Sequence, residues 1–417
     1  ENVYFHNGKE LTSEDVVASL NRWKDTSPVG VSQIIKDGSF EAVEPYTVKL
    51  HLNSPSALAL PILAANRYAS IMPKEVIEEA DETGVKAYIR TGPFEFVEWK
   101  QDQYIHLKKY EAYSPVELPT DGVSGKKEAL VDNIFFRIVP DPSTLVAGVQ
   151  TGEYDIIVDV PNEYYEQLKA NQNLNVDVSS YGQMLLIFNR NEGPFTDVKL
   201  RQAVNAALDF ESILLASFIN EDLYAANPSH ILPEHVNWYS EAGIEFYNQQ
   251  NLDKAQQLLE ESGYNGEEIS ILTTRDYEHI YNTAVVSKEQ LDQIGMNVEL
   301  EIYDWPTVQS KLREPSAWQI FSTGTPGKST PVDILYFNDN YFDGPNDPEV
   351  NEFLFNIETA TSQETASNYW NDMHHYVWET VPAIKLGDFM KVSAMGEDVE
   401  GFLYFEGPVL WNTAIRE

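Results

Sequence analysis

The chain has 417 residues, with 28 Lys and Arg against 66 Asp and Glu, which gives a formal net charge of −38. Nucleic acids and anionic membranes are bound largely through clustered cations, so this charge argues against both classes of partner. The absence of cysteine favours an extracytoplasmic protein. No apolar run reaches the roughly 20 residues that a transmembrane helix requires. The length exceeds what one hydrophobic core supports, so two or more lobes are expected.

The first part of the chain mixes helix and strand signals. Residues 1–8 have the pattern of a strand end that runs into a turn, so we expect that an N-terminal portion has been removed. Thr12 or Ser13 can cap a helix whose apolar stripe continues to Trp23. Other elements are predicted as strands at 46–52, 94–99 and 104–107, the last two forming a hairpin, and as an apolar helix at 57–65. This mixture predicts an α+β lobe.

Two later regions combine strands and helices in the order that builds parallel sheets. The first region is predicted to contain strands at 134–139, 154–158, 176–178 and 184–188, and helices at 143–151 and 200–208. The second region is predicted to contain strands at 269–273, 298–302 and 318–322, and helices at 253–262, 277–294 and 305–312. Since β-α-β connections join parallel strands, we expect a parallel sheet in both regions. A last apolar strand is predicted at 399–405.

Motifs for catalysis or metal binding are weak in this sequence. It has no Gly-x-Ser-x-Gly elbow, no P-loop and no dinucleotide fingerprint. His230 and His235 have the wrong spacing for one helix face, and the adjacent His374 and His375 would point in different directions on a helix. We interpret these histidines as structural or surface residues. We expect no metal, no cofactor and no enzymatic activity.

Ligand-binding residues are expected at the carboxyl ends of the strands in the second region, where ligands of parallel sheets collect. The loops after these strands carry Arg275, Asp276, Tyr277, Asp304, Trp305, Thr323, Thr325 and Lys328. A guanidinium suits a carboxylate, an indole covers apolar surface, and hydroxyls supply hydrogen bonds. The alternative is that Arg275 pairs with Asp276 or Glu278 and that Trp305 belongs to the core.

Short motifs follow one another along the whole chain in a recognisable order. They are residues 5–20; the turn at 90–94; Gly152, Glu153 and Asp155; Asn189 with 194–197, 201–203 and Asp209; 253–259 with Gly263 and Tyr264; and 399–402. This ordered set resembles the oligopeptide/dipeptide/nickel family of ABC-importer solute-binding proteins (family 5, cluster C type). We add Asn189, from the fourth motif, to the predicted ligand-binding residues.

The resemblance implies an α/β and α+β, two-lobed periplasmic-binding-protein-like fold with an extra α+β subdomain. Residues 1–90 resemble the extra subdomain, 91–210 with 386–417 the first lobe, and 211–385 the second lobe. The opening strands of the first lobe would precede Glu1 and be absent from the chain. The resemblance also implies an extracytoplasmic monomer, periplasmic or lipid-anchored. It would capture a peptide or peptide-like solute in an interlobe cleft and deliver it to the membrane permease of an ABC transporter.

Two features depart from the pattern of this family. Its dipeptide-binding members carry an acidic residue after the third strand of the second lobe, where it meets the amino terminus of the ligand. Here the loop has no acid before Asp333 and offers Lys328. The arginine that meets the ligand carboxylate falls near Lys311 or Arg313. These differences indicate a longer peptide, a modified peptide or a more acidic solute.

Three other functions stay open on the sequence alone. One is a hydrolase that uses an acidic pair in the cleft. Another is a nickel- or metal-chelate-binding member of the same family, although the histidine pattern is weak. The third is a scaffold or chaperone-like surface protein that has only inherited the fold.

Overall fold

The chain forms two compact units, residues Glu1–Ser179 with Val392–Glu417 and residues Ser180–Lys391. The computed structural model describes residues 1–27, 38–64, 69–82, 84–337 and 347–416. Strands β7 (Leu174–Phe188) and β12 (Ala383–Gly396) each contain a point where the chain passes from one unit to the other. The three-part division expected from the sequence, with boundaries at 90, 210 and 385, remains a prediction.

The first unit is built from short helices and small antiparallel sheets. Its described helices are α1 (Ser13–Thr26), α2 (Ala59–Ala64), α3 (Lys74–Glu78), α4 (Pro142–Thr151) and α5 (Tyr165–Lys169). Its described strands are β1 (Ser39–Glu44), β2 (Thr47–His51), β3 (Phe94–Lys100), β4 (Tyr104–Lys109), β5 (Asn133–Arg137), β6 (Ile156–Ile157), β13 (Val399–Glu400), β14 (Leu403–Tyr404), β15 (Pro408–Val409) and β16 (Ala414–Ile415). The predicted hairpin is confirmed, since β3 pairs antiparallel with β4. The α+β character predicted for this part of the chain is therefore confirmed.

The predicted start of the first helix is confirmed, and a buried acid supports it. The carboxylate of Asp15 accepts hydrogen bonds from the backbone N–H of Thr12 at 3.0 Å and from its hydroxyl at 2.9 Å. Lys9 adds an ion pair at 2.6 Å to the same carboxylate, which is fully buried. The predicted helix at 57–65 forms as α2, and Ala65 lies outside the described residues.

The second unit is an α/β structure around a mixed sheet. Its described helices are α6 (Val198–Ala207), α7 (Phe210–Phe218), α8 (Leu252–Glu261), α9 (Glu278–Gln293), α10 (Trp305–Lys311), α11 (Pro348–Thr359) and α12 (Gln363–Thr380). Its strands, besides parts of β7 and β12, are β8 (Tyr224–Ala225), β9 (Glu268–Thr273), β10 (Asn297–Ile302) and β11 (Ile320–Pro326). They lie in the order β10-β9-β11-β7-β12, and β8 pairs with β12.

The parallel sheet predicted for the second α/β region is confirmed. β10 and β11 both pair parallel with β9, and buried residues of these strands include Ile271, Val298 and Phe321. Helix α9 connects β9 to β10 and buries Ala284 and Leu291. The sheet edge at the carboxyl ends of these strands is therefore the edge that the sequence pattern indicated.

The parallel sheet predicted for the first α/β region is wrong. β5 pairs antiparallel with β4, β6 with β12 and β7 with β11. The strand-helix-strand order misled the prediction because β5, β6 and β7 pair with other strands rather than with one another. The strands predicted at 176–178 and 184–188 form one continuous strand, β7. The strand predicted at 399–405 is divided by Gly401, whose φ of +72° brings it against the carbonyl of Asn412.

Candidate ligand-binding site

The carboxyl ends of β9 and β10 lie side by side in the second unit. Thr273, the last residue of β9, pairs with Ile302, the last residue of β10. The carbonyl of Thr273 also accepts a hydrogen bond from the backbone N–H of Tyr303 at 3.1 Å, just beyond the paired residues. The loops that carry Arg275 and Trp305 therefore leave the sheet at the same edge.

Asp276 connects these two loops. Its carboxylate accepts a hydrogen bond from the backbone N–H of Trp305 at 2.7 Å. The ring of Tyr277 meets the indole of Trp305 edge to face, with centroids 5.4 Å apart. The half-buried indole also lies 6.3 Å from the ring of Phe321 on β11. The sequence-based alternative for Trp305, a purely core residue, does not fit its partial exposure.

Asp304 is the N-cap residue of helix α10. Its carboxylate accepts a hydrogen bond from the backbone N–H of Thr307 at 2.8 Å, and Pro306 takes the first turn of the helix. This backbone hydrogen bond holds the pKa of Asp304 below its usual range. Asp304 therefore fixes the direction of the loop rather than offering a free proton donor.

Arg275 is exposed at the same edge and is held by a tyrosine. Its guanidinium donates a hydrogen bond to the hydroxyl of Tyr281 at 3.0 Å and lies 4.8 Å from the centre of that ring. Among the described residues, no ion pair joins Arg275 to Asp276 or Glu278, which was the structural alternative. A guanidinium on an aromatic ring keeps donors free for a carboxylate.

The end of β11 carries three of the predicted residues. Thr323 is buried, whereas Thr325 is half-buried and its hydroxyl has no hydrogen-bond partner in the part of the chain that the structure describes. Lys328 follows Gly327, whose backbone N–H donates to the carbonyl of Tyr181 at 2.8 Å. This hydrogen bond holds the loop after β11 against Tyr181 of β7.

Asn189 lies at the opposite edge of the sheet. It follows Phe188, which pairs with Ile320 at the amino end of β11. The amide nitrogen of Asn189 donates to the carbonyls of Pro315 and Trp318, the latter at 2.9 Å. Its oxygen accepts from the backbone N–H of Asn191 at 3.0 Å. The structure does not bring Asn189 together with the other predicted residues, so the site described below leaves it out.

An aromatic cluster that the sequence did not predict lies beside β11. It consists of Tyr181, Phe218, His279 and Phe389. The ring of Phe389 stacks on Phe218 with centroids 5.3 Å apart, lies 5.5 Å from His279, and lies 5.6 Å from Tyr181. The ammonium of Lys391 lies 4.8 Å from the centre of the Tyr181 ring. These residues come from β7, α7, α9 and β12, so only the folded sheet reveals the cluster.

His279 connects this cluster to the predicted loops. It lies in the first turn of α9, 6.2 Å from the ring of Tyr277. Its Nε2 faces Gly324 so closely that a Cβ built there would lie 3.3 Å from it. Burial, and secondarily the charge of Lys391, lower the pKa of His279 to about 4. The imidazole is therefore uncharged at neutral pH.

One histidine of each pair singled out in the sequence is buried. His230 and His374 are buried, and their Nδ1 and Nε2 atoms lie 3.2 Å apart. The other ring nitrogen of His374 donates to the carbonyl of Ala242 at 2.6 Å. Among the described residues, no three His, Asp or Glu side chains form a group that could hold a metal ion.

The first unit contains a separate cavity of about 440 Å³. Most of its walls are apolar side chains such as Ile134, Phe136 and Leu145, with Arg137 and Asp155 among the few charged ones. None of the predicted ligand-binding residues lines it. All of the predicted ligand-binding residues lie in the second unit.

Comparison with known protein families identifies the family of this chain. The family described as "Bacterial extracellular solute-binding proteins, family 5 Middle" matches residues 1–368. The chain belongs to this family. This confirms the resemblance read from the motifs, and the function of the family is to bind solutes outside the cell. In the described ranges, no helix is long and apolar enough to cross a membrane.

Individual relatives cover nearly all of the chain at low identity. A Sinorhizobium fredii protein named "Probable peptide ABC transporter periplasmic-binding protein y4tO" is 27% identical, covering 98% of this chain and 80% of that protein. The glutathione-binding protein GsiB of Escherichia coli is 25% identical, covering 96% of this chain and 79% of GsiB. The structure of AgaA from Agrobacterium tumefaciens R10 with agropinic acid has a TM-score of 0.82 at 24% identity, covering 100% of this chain and 86% of AgaA. This last similarity confirms the periplasmic-binding-protein-like fold.

Proposed function

We propose that the chain is the solute-capturing subunit of an ABC importer and that it binds peptides or peptide-like solutes. The family supplies the solute-binding role. One relative is named for a peptide transporter and another for glutathione, which is a tripeptide. The ligand-binding face that we assign to the second unit is formed by Arg275, Tyr277 and Trp305, with the end of β11 beside them.

The observation that carries this proposal is the connection between the loops after β9 and β10. The carboxylate of Asp276 accepts a hydrogen bond from the backbone N–H of Trp305 at 2.7 Å, and the ring of Tyr277 packs edge to face against the indole. A rigid aromatic pair next to an exposed guanidinium offers apolar surface and carboxylate recognition together. Such preorganised groups lose little entropy when a ligand binds.

We further propose that the protein is not an enzyme. A hydrolase with an acidic pair needs one carboxyl that donates a proton and another that accepts one. Asp276 and Asp304 are the carboxylates on these two loops, and each accepts a backbone N–H. The bond to Thr307 also lowers the pKa of Asp304, which opposes a role as general acid.

The partners follow from this role. We propose that the chain works as a monomer outside the cytoplasmic membrane, delivers its ligand to a membrane permease, and needs no cofactor. Its net charge of −38 argues against nucleic acid as a partner. The division into an extra subdomain and two lobes belongs to the same proposal.

A peptide screen tests the proposal. Purified protein is mixed with sets of di-, tri- and pentapeptides, and the melting temperature is followed for each set. We expect stabilisation by at least one set, because a ligand that binds only the folded state raises its stability by RT ln(1 + [L]/Kd). Peptide masses are measured before and after incubation, and they should not change. No stabilisation by any set would contradict the proposed ligand class, and cleaved peptides would contradict a pure binding role.

A further inference from the structure

Two asparagine–glycine pairs occur in the sequence, and both lie in exposed loops. They are Asn7–Gly8, before α1, and Asn265–Gly266, between α8 and β9. Both glycines have a positive φ, +82° for Gly8 and +86° for Gly266, which glycine adopts without strain. Asparagine is chemically labile when glycine follows it, because glycine places no side chain beside the backbone nitrogen that can attack the asparagine amide.

This attack, which leads to deamidation, needs two free groups. The backbone nitrogen of the glycine attacks the side-chain carbon Cγ of the asparagine and closes a five-membered succinimide ring. The side-chain nitrogen leaves as ammonia and takes the proton of the attacking N–H. Water then opens the ring at either of its carbonyls and leaves aspartate or isoaspartate. A hydrogen bond to the attacking N–H or to the asparagine amide opposes the reaction, because it must be broken first.

Both groups are engaged at Asn7. The backbone N–H of Gly8 donates to the carbonyl of Phe5 at 2.8 Å. The side-chain oxygen of Asn7 accepts a hydrogen bond from the backbone N–H of Lys9 at 3.1 Å. Phe5 is fully buried, and its own N–H donates to the carbonyl of Lys9 at 2.9 Å, which holds the turn closed. The fold therefore protects Asn7 although it is exposed.

Both groups are free at Asn265. Counting only residues that the structure describes, the N–H of Gly266 has no acceptor and the side chain of Asn265 makes no hydrogen bond. A Cβ built on Gly266 would meet no atom within 4 Å, so the side chain of Asn265 has room to turn towards the nitrogen. The rest of the loop is anchored, since the Tyr264 hydroxyl donates to the carbonyl of Glu267 at 2.6 Å and accepts the N–H of Asn297 at 2.8 Å.

We propose that Asn265 is a site of spontaneous deamidation in the folded protein and that Asn7 is not. The product places a new carboxylate near that of Glu267, which already accepts the backbone N–H of Asn265 at 2.9 Å. Isoaspartate also lengthens the main chain by one methylene group inside the anchored loop. Glu268 and Asn297 pair at the amino ends of β9 and β10, so this loop lies opposite the edge assigned to the ligand. The inference is therefore independent of the proposed function.

Peptide mapping of aged protein tests the inference. The full chain is kept in mildly alkaline buffer, either folded or in urea, and mass spectrometry follows the replacement of NH2 by OH at each asparagine. In the folded protein we expect Asn265 to be modified at least about tenfold faster than Asn7, a difference in barrier of about 1.4 kcal/mol. In urea the two rates should become similar, because both asparagines precede glycine and the hydrogen bonds that protect Asn7 are lost.

Two variants complete the test. Asn265→Gln cannot close the five-membered ring and should stay intact under the same conditions. Gly266→Ala places a Cβ beside the attacking nitrogen and should slow the reaction at Asn265 in urea as well as in the folded protein, so its effect does not depend on how well the variant folds. Equal rates at Asn7 and Asn265 in the folded protein would overturn the inference. So would an Asn265 that reacts in urea but stays intact in the folded protein.

Discussion

The carboxylate of Asp276 accepts the backbone N–H of Trp305 at 2.7 Å, across 29 positions of sequence. This bond ties the loop after β9 to the first residue of α10. It also places Tyr277 against the indole, since Tyr277 directly follows the tethered residue. One carboxylate thereby helps to order two side chains of the proposed ligand-binding face, those of Tyr277 and Trp305.

Asp276→Ala should weaken ligand binding more than it weakens the fold. The N–H of Trp305 is exposed, so water can replace the lost acceptor, and the free energy of unfolding should fall by less than about 1 kcal/mol. The loops would then have to become ordered on binding, which should lower the affinity for the tightest peptide of the screen about three- to tenfold. Calorimetry and urea unfolding measure the two effects.

Asp276→Asn and Asp372→Ala are the matched comparisons for this prediction. Asparagine keeps an oxygen acceptor at position 276 and should retain most of the affinity. Asp372 is exposed on α12, so its removal changes the net charge equally without touching the site. Equal losses in Asp276→Ala and Asp372→Ala would show that charge, and not the tether, matters.

Arg275→Ala should remove a direct contact to the ligand. Losing a charged hydrogen bond costs on the order of 1.5–3 kcal/mol, which is about ten- to a hundredfold in affinity. Because Arg275 is exposed, the melting temperature of the ligand-free protein should hardly change. Tyr281→Phe keeps the ring beneath the guanidinium and removes the hydroxyl that accepts its hydrogen bond, so it should cost much less. If Arg275→Ala unfolds the protein while the folded fraction binds normally, Arg275 is a structural residue.

The sequence predicted the loops of the site but not the aromatic cluster beside them. Arg275, Tyr277 and Trp305 follow strongly patterned strands, and a parallel sheet places such strand ends together. Phe389 and Lys391 lie on β12, a buried strand that contains Lys385, Gly387 and Asp388. Charged residues such as Lys385 and Asp388 interrupt the apolar pattern by which a buried strand is recognised. Their burial depends on partners such as Asn227 and Ser229 from elsewhere in the chain, which the sequence pattern does not reveal.

The sequence also did not reveal at which end of the sheet Asn189 lies, because β7 is antiparallel to β11. Asn189 follows β7, which runs opposite to β11, so the carboxyl end of β7 lies at the amino end of β11. A motif match shows that Asn189 is a recognisable position but not which sheet edge it occupies. Its hydrogen bonds to Pro315 and Trp318 stabilise a turn at the far edge. Pairing direction therefore has to be known before a ligand-binding role can be assigned to a residue at a strand end.

Acid should destabilise the fold through its buried histidines. Burial lowers the pKa of His374 to about 4, and in the unfolded chain it returns to about 6.5. The unfolded state therefore binds more protons below pH 6.5, and stability falls as the pH drops from there towards 4. For His374 alone, the loss between pH 7 and pH 5 is about 2 kcal/mol. His230, whose pKa burial lowers well below 6.5, acts in the same direction.

The adjacent His375 supplies the control for this pH dependence. It is exposed and lies 3.3 Å from the carboxylate of Glu245. Urea unfolding at pH 7 and pH 5 should show a smaller loss of stability for His374→Gln than for the wild type, even if the variant is less stable at both values. His375→Gln should keep the wild-type loss. An unchanged pH dependence in His374→Gln would mean that other groups dominate.

Lys385 and Asp388 should be far more sensitive to the loss of one partner than to the loss of both. They are buried on β12 with their charged atoms 2.6 Å apart, and Asn227 donates to the other oxygen of Asp388 at 2.6 Å. Lys385→Met leaves a buried carboxylate without its cation, which should cost about 3–5 kcal/mol of unfolding free energy. Adding Asp388→Asn to Lys385→Met removes the unpaired negative charge and keeps an acceptor for Asn227, so part of the lost unfolding free energy should be recovered.

Lys199 and Glu261 supply an exposed pair for comparison, 2.8 Å apart. Lys199→Met breaks this pair and should cost less than about 1 kcal/mol of unfolding free energy. Urea unfolding of the wild type and of these three variants checks the order, and a double variant no more stable than Lys385→Met would show that the lysine contributes by packing rather than by charge.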